Sequence, residues 1–97
     1  MAFDIILAPE AIRDMASFPV QLRGGIYDGI ESHLRHTPHH VSKSRIKRLR
    51  GLSKPQYRLR LGDVRVYYDI AGNRVEVLAI LPKPVTERWL KRHGVSK

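Results

Sequence analysis

Arg58, Arg60 and Arg65 lie in the segment Tyr57-Arg58-Leu59-Arg60-Leu61-Gly62-Asp63-Val64-Arg65-Val66-Tyr67-Tyr68, and guanidinium groups at this spacing point to phosphate binding. Apolar and charged residues alternate on both sides of Gly62-Asp63, a pair suited to a tight hairpin because glycine accepts a positive φ. With those two residues as the loop, antiparallel pairing sets Leu61 opposite Val64, Arg60 opposite Arg65, Leu59 opposite Val66 and Arg58 opposite Tyr67. One face of the hairpin is then apolar, and the other gathers the arginines. Like charges directly across a strand pair cost about 0.2–1 kcal/mol, so an anion that neutralises them is the natural occupant. The planar guanidinium donates paired hydrogen bonds to phosphate oxygens and stays charged at any working pH, which also makes it a poor base.

The rest of the composition agrees with a polyanionic partner. Eighteen Lys and Arg stand against 9 Asp and Glu, a formal charge of +9, which is the electrostatic footprint of a nucleic-acid binder or of a protein that pairs with an acidic one. The 97 residues suit one domain, 1–97, with a core that needs neither disulfide nor metal. Cysteine is absent, which excludes thiolate chemistry and fits a reducing cytoplasm. No apolar run reaches the roughly 20 residues of a membrane span, and no secretory leader is recognisable. His33, His36, His39 and His40 crowd together, but no cysteine or carboxylate pair completes a ligand set, so no metal or other cofactor is expected.

The elements that must position the arginines follow from periodicity. Phe3–Leu7 reads as a first strand. Ala8-Pro9-Glu10 opens a helix, since proline is tolerated in the first turn and glutamate suits the positive end of the dipole. Its inner stripe is Ile12, Met15 and Phe18, and Pro19 interrupts it. Leu22, Ile26, Ile30 and Leu34 recur every four residues and predict a second helix from Pro19 to His36, making a helical hairpin. Gly24, Gly25 and Gly29 weaken it by about 1 kcal/mol each relative to alanine unless they permit close packing. From Arg45 the period becomes alternating: Arg45–Arg50 and Gln56–Leu61 are strands, followed by Val64–Ile70 and Arg74–Leu81. With Gly72-Asn73 as a second turn, Tyr67 falls opposite Leu78 and Arg65 opposite Ile80. Val64, Val66, Tyr68, Ile70, Val75, Val77, Ala79 and Leu81 then share a face with Leu59 and Leu61. The helical hairpin covers that face, giving an α+β fold in which it packs on one side of a mostly antiparallel, twisted sheet. The other side stays partly open, holding Arg58, Arg60, Arg65, Tyr67, Leu78 and Ile80. A short helix from Val85 to His93, closed by Gly94, ends the chain.

Taken together, Ile46-Lys47-Arg48-Leu49-Arg50-Gly51, Tyr57-Arg58-Leu59-Arg60, Gly62-Asp63-Val64-Arg65-Val66-Tyr67-Tyr68 and Val77-Leu78-Ala79-Ile80 resemble the RelE/ParE superfamily of toxins from type II toxin–antitoxin pairs. The resemblance spans nearly the whole chain and is closer to the RelE branch, which implies a RelE-like microbial ribonuclease-type fold. It also implies a ribosome-dependent endoribonuclease that cuts mRNA in the decoding site and stalls translation. Such a toxin is cytoplasmic and is silenced in a hetero-oligomer with an acidic antitoxin. The ParE branch instead poisons DNA gyrase, and a non-catalytic member that only binds RNA or antitoxin is a third reading.

RNA cleavage by a ribose 2′-OH requires a base for its proton, cations for the charge that builds on the phosphoryl oxygens and an acid for the leaving 5′-oxygen. By resemblance, Arg58 and Arg60 stand where RelE-like toxins carry basic strand residues, and Arg65 matches the arginine after the glycine turn. Lys83 stands at the arginine that follows the last strand. Glu87 stands at or beside the family's tyrosine, which this chain lacks. The expected catalytic set is therefore Arg60, Arg65, Lys83 and Glu87, with Glu87 as base; the alternative for Glu87 is a solvated helix residue. Lys47, Arg50, Lys54 and Arg58 are expected to track the RNA backbone. Tyr67 is expected either to stack on a base or to pack beneath the arginines. His93 is a reserve acid, and Trp89 is a core anchor or an antitoxin contact.

Overall fold

Residues 2–97 are described by the computed structural model. Asp4–Leu7 forms β1, and helices α1 (Pro9–Ser17) and α2 (Val20–Leu34) follow it. Pro9 occupies the first turn of α1, where its missing N–H costs nothing. Phe18 leaves α1 in an extended conformation (φ −79°, ψ 150°), as a residue before proline prefers. The Arg23 side chain then reaches back and donates to the freed carbonyls of Ala16 and Phe18 at 2.8 and 2.9 Å.

The remaining strands are β2 (Ile46–Arg48), β3 (Leu52–Lys54), β4 (Tyr57–Leu61), β5 (Val64–Ala71) and β6 (Arg74–Pro82). A 3-10 turn, Lys83–Val85, leads into α3 (Thr86–His93), and β7 (Val95–Ser96) closes the chain. The main sheet has five strands in the order β1-β6-β5-β4-β2, with only β1 parallel to its neighbour. The short β3 and β7 pair with each other and lay the C-terminus against the Gly51–Pro55 connection. Both hairpin turns place glycine at positive φ, Gly62 at 60° and Gly72 at 61°, the pattern of two-residue turns that match strand twist.

Ala11, Met15 and Phe18 of α1 and Ile26, Ile30 and Leu34 of α2 pack on Ile46, Leu59, Val66, Tyr68, Val75, Val77 and Ile80 to make the main core. Two residues assigned to the inner stripe sit outside it: Ile12 is 56 % and Leu22 51 % exposed. In α1 the fully buried Ala11 rather than Ile12 meets the sheet. Gly29 lies where a Cβ would come within 2.6 Å of Leu61 Cδ2, so this glycine lets α2 approach the hairpin. Tyr68, fully buried, donates its hydroxyl to the Pro38 carbonyl at 2.5 Å, and burial pushes its phenol well above the usual range.

The β4–β5 register is the one expected, with Arg60 opposite Arg65 and Arg58 opposite Tyr67. The β5–β6 register begins as expected and then slips. Ile70 pairs with Val75 and Tyr68 with Val77, but Tyr67 meets Ala79 rather than Leu78, and Arg65 meets Leu81 rather than Ile80. A β-bulge at Leu78 absorbs one residue of β6 and reverses the faces beyond it. Ile80 therefore enters the main core, while Ala79 and Leu81 turn to the arginine side and join Tyr67 in a second cluster. The Ile80 N–H, beyond the end of β1, is taken by Asp14 Oδ2 of α1 at 3.0 Å. The arginine side is not the open face expected, because α3 lies on it: Val85, Trp89 and Leu90 pack on Tyr67, Ala79 and Leu81.

Candidate nucleic-acid interface

Alternation along β4 and β5 sends Arg58, Arg60, Arg65 and Tyr67 to the face opposite the helical hairpin. The β2–β4 pairing places Lys47 directly opposite Arg58, so Lys47, Arg58 and Tyr67 form one cross-strand row and Arg60 and Arg65 the next. Among the described residues these four cations have no carboxylate partner. The ion pairs among the described residues lie elsewhere, at Arg13–Glu10, Arg35–Glu31, Lys54–Asp69 and Arg74–Glu76. Arg65, only 7 % exposed, folds its guanidinium over the turn and donates from Nη1 to the carbonyls of Gly62 at 2.6 Å and Val64 at 3.2 Å. Backbone carbonyls orient this cation without cancelling its charge.

Arg58 shows the consequence most directly. Its Nε is buried with no hydrogen-bond partner among the described residues, and its charged form is disfavoured first by burial and then by the Arg65 and Arg60 cations, with Tyr67 opposing. A buried N–H on a charged group that lacks an acceptor is rare in folded proteins and asks for an explanation. An anion held at this face would supply the counter-charge that the cluster lacks.

Other expected site residues fall at the rim or outside. Lys47 and Arg50, with Leu49, Leu52 and Leu90, line a groove of about 530 Å³ beside the arginine rows. The Lys83 amide donates to the Asp63 carbonyl at 2.8 Å, which holds Lys83 beside the turn flanked by Arg60 and Arg65. Glu87 is exposed on the first turn of α3 and its side chain makes no ion pair or hydrogen bond among the described residues, so no partner aims it at the arginines. Lys54 is not in the cluster: it pairs with Asp69 at 3.7 Å, four residues along β5 from Arg65, or roughly 13 Å at the strand rise. Tyr67 is not available to a base, since it is 3 % exposed and Trp89 stacks on it at 5.3 Å with an interplanar angle of 18°. Of the two roles expected for Tyr67, the structure shows packing. His93 lies tilted by 36° against Trp89 at 5.2 Å and lines two cavities, one with Glu10, Lys54 and Leu78 and one with Leu81, Val85 and Arg88.

Trp89 is a core anchor, one of the two roles expected for it, but its seat over Tyr67 was not foreseen. The signal was present in the unbroken apolar run from Val77 to Leu81, which marks a strand buried on both faces rather than one. Among the described residues no three His, Cys, Asp or Glu side chains are grouped to hold a metal ion, and no helix is long and apolar enough to cross a membrane.

A family model of the ParE toxin of the type II toxin–antitoxin system parDE matches residues 5–83. The chain belongs to the ParE toxin family. It is thus a toxin of a type II toxin–antitoxin system within the RelE/ParE superfamily, as the strand motifs implied. The toxin's fold is that of RelE. A mutant of Escherichia coli RelE in the free state superimposes with a TM-score of 0.69 at 17 % identity, covering 96 % of this chain and 99 % of that one. RelE in its complex with RelB from Pyrococcus horikoshii gives 0.68 at 22 % identity over 86 % and 97 %. The RelBE2 toxin–antitoxin complex of Mycobacterium tuberculosis gives 0.66 at 20 % identity over 84 % and 99 %. No curated protein sequence matches the toxin.

Proposed function

We propose that the toxin is an endoribonuclease that binds messenger RNA in the ribosomal decoding site, cuts it, and is held inactive in the cytoplasm by an acidic antitoxin. The observation that carries this reading is the cationic face of β2, β4 and β5, with four cations unpaired by carboxylates and an orphaned Arg58 Nε. On that face the exposed Arg60 grips a phosphodiester, and Arg58 and Arg65 stabilise charge as it develops on the phosphoryl oxygens. The ribose 2′-oxygen attacks phosphorus and the bond to the 5′-oxygen breaks, leaving a 2′,3′-cyclic phosphate. Glu87 takes the 2′-hydroxyl proton, Lys83 adds charge at the rim, and solvent water gives a proton to the departing 5′-oxygen. The antitoxin lays a helix or extended tail across the same cations, its carboxylates replacing phosphate.

Mapping of message ends during translation tests this reading with the parent toxin, Arg60→Ala and Glu87→Gln. Cuts phased with the ribosome in the parent and lost in Arg60→Ala are expected. Unchanged cutting by Glu87→Gln would show that Glu87 is not the base. A second reading, inhibition of DNA gyrase, is favoured by the match to the ParE family model over residues 5–83. Double-strand DNA breaks with intact message would establish it in place of the first.

A further inference from the structure

The face of the sheet opposite the arginines carries a cavity that the cleavage chemistry does not use. Arg48, Tyr57 and Tyr68 form one cross-strand row over β2, β4 and β5, since Arg48 pairs with Tyr57 and Tyr57 with Tyr68. Tyr68 stacks on Tyr57 at 5.4 Å and 13°, and the Arg48 guanidinium sits 5.1 Å from the centre of the Tyr57 ring. Tyr57 lies between them in the row, so the stack ends on a guanidinium at the sheet's edge strand. Arg48 Nη1 donates to the Gln56 carbonyl at 2.5 Å, which fixes its plane. Across from it Phe3 and His39 meet edge to face at 6.0 Å. Phe3, His39, Arg48 and Tyr57, with Gln56, Ile70 and Gly72, line an open depression of about 470 Å³, a volume within the range of small-ligand sites. Gln56 accepts from the Ile70 amide through Oε1 at 2.8 Å, and its Nε2 has no acceptor among the described residues.

We infer that this cavity binds a single-stranded RNA nucleotide, its base stacked on the Arg48 guanidinium beside Phe3 and His39 and reached by the Gln56 amide. A guanidinium plane, two rings and an amide donor suit a base, which is flat and edged with acceptors. An acidic peptide would need more than one fixed cation. The two faces are joined at β2, where Lys47 belongs to the arginine face and its neighbour Arg48 to this one. A strand gripped by Lys47 and Arg58 therefore reaches the cavity by turning around the β2 edge. The choice of RNA rests on the reading proposed above; the pocket itself does not.

The test titrates the full-length toxin with adenosine 5′-monophosphate, followed by NMR, and with a single-stranded RNA octamer and its abasic versions. Nucleotide is expected to shift the signals of His39, Tyr57 and Gly72. Removing one base should weaken octamer binding by about tenfold. Arg48→Lys, which keeps the charge and loses the plane, should bind RNA about tenfold more weakly and become indifferent to that missing base. His39→Ala, at an exposed loop position, should weaken binding several-fold with no change in melting temperature, and so serves if Arg48→Lys fails to fold. Octamer binding that falls in Arg60→Ala but is unmoved by His39→Ala, Arg48→Lys and every abasic site overturns the pocket and spares the RNA reading. Nucleotide shifts in a toxin that binds no octamer support the pocket and sink the RNA reading. Shifts produced by poly-glutamate but not by nucleotide overturn the inference.

Discussion

The two faces of the five-stranded sheet are built to different standards. On one, two helices of nine and 15 residues seal a core that includes fully buried Leu34, Leu59, Val66, Tyr68, Val75 and Val77. On the other, Val85 of the 3-10 turn and Trp89 and Leu90 of the eight-residue α3 lie over Tyr67, Ala79 and Leu81, beside cations that no carboxylate among the described residues neutralises. The first face holds the fold together. The difference is one of charge: the same strands bury apolar side chains under the helical hairpin and gather guanidinium groups on the other side.

Substitutions should respect that division. Leu59→Ala, at the centre of the closed face, is expected to cost about 2–5 kcal/mol, measured as a lower urea midpoint. A loss under about 1 kcal/mol would mean that this core is loosely packed. On the cationic face Arg60→Ala is expected to leave the midpoint unchanged or raise it, because it relieves the repulsion with Arg65 by about 0.2–1 kcal/mol. The same change should lower the slope of log affinity for single-stranded RNA against log salt by about 0.7. A fall in stability together with an unchanged slope would break the comparison.

Two finer changes sharpen it. Gly24 has open space around it, whereas a Cβ at Gly29 meets Leu61. Gly24→Ala should therefore raise stability by up to about 1 kcal/mol through helix propensity, and Gly29→Ala should forfeit that gain as Leu61 is displaced. The smallest effect concerns Asp14, whose carboxyl is raised above its usual value by burial, partly offset by its bond from the Ile80 amide. A raised carboxyl pKa means that the folded state holds the proton more tightly than the unfolded one. The stability this adds is full below the unfolded value and is lost as pH rises through the folded value. Asp14→Asn keeps an acceptor for Ile80 and removes the buried charge. It should match or exceed the parent's stability near pH 7 and show a flatter dependence on pH across the acid range, read from melting curves.

Local chemistry was enough to place the main elements, but not the short β3 and β7, which exist only because distant segments pair. Pro9 and Pro19 bounded α1, the four-residue spacing of Ile26, Ile30 and Leu34 marked α2, and Gly62-Asp63 set a hairpin register that brings Arg60 opposite Arg65. These depend on steric limits and periodicities that act within a few residues. Which side of β6 faced which layer did not depend on its own pattern, because every residue from Val77 to Leu81 is apolar and either parity would bury something. The bulge at Leu78 was decided where distant parts meet: Asp14 of α1 captures the Ile80 amide, and Trp89 of α3 needs Tyr67, Ala79 and Leu81 beneath it. The residue types therefore fixed where the arginines stand along the strands. Only the folded chain determined that Lys54 is drawn away to Asp69, that Tyr67 is roofed by indole, and that Arg58 is left buried with an N–H and no acceptor, since burial and neutralisation are properties of neighbours that the order of residues does not name.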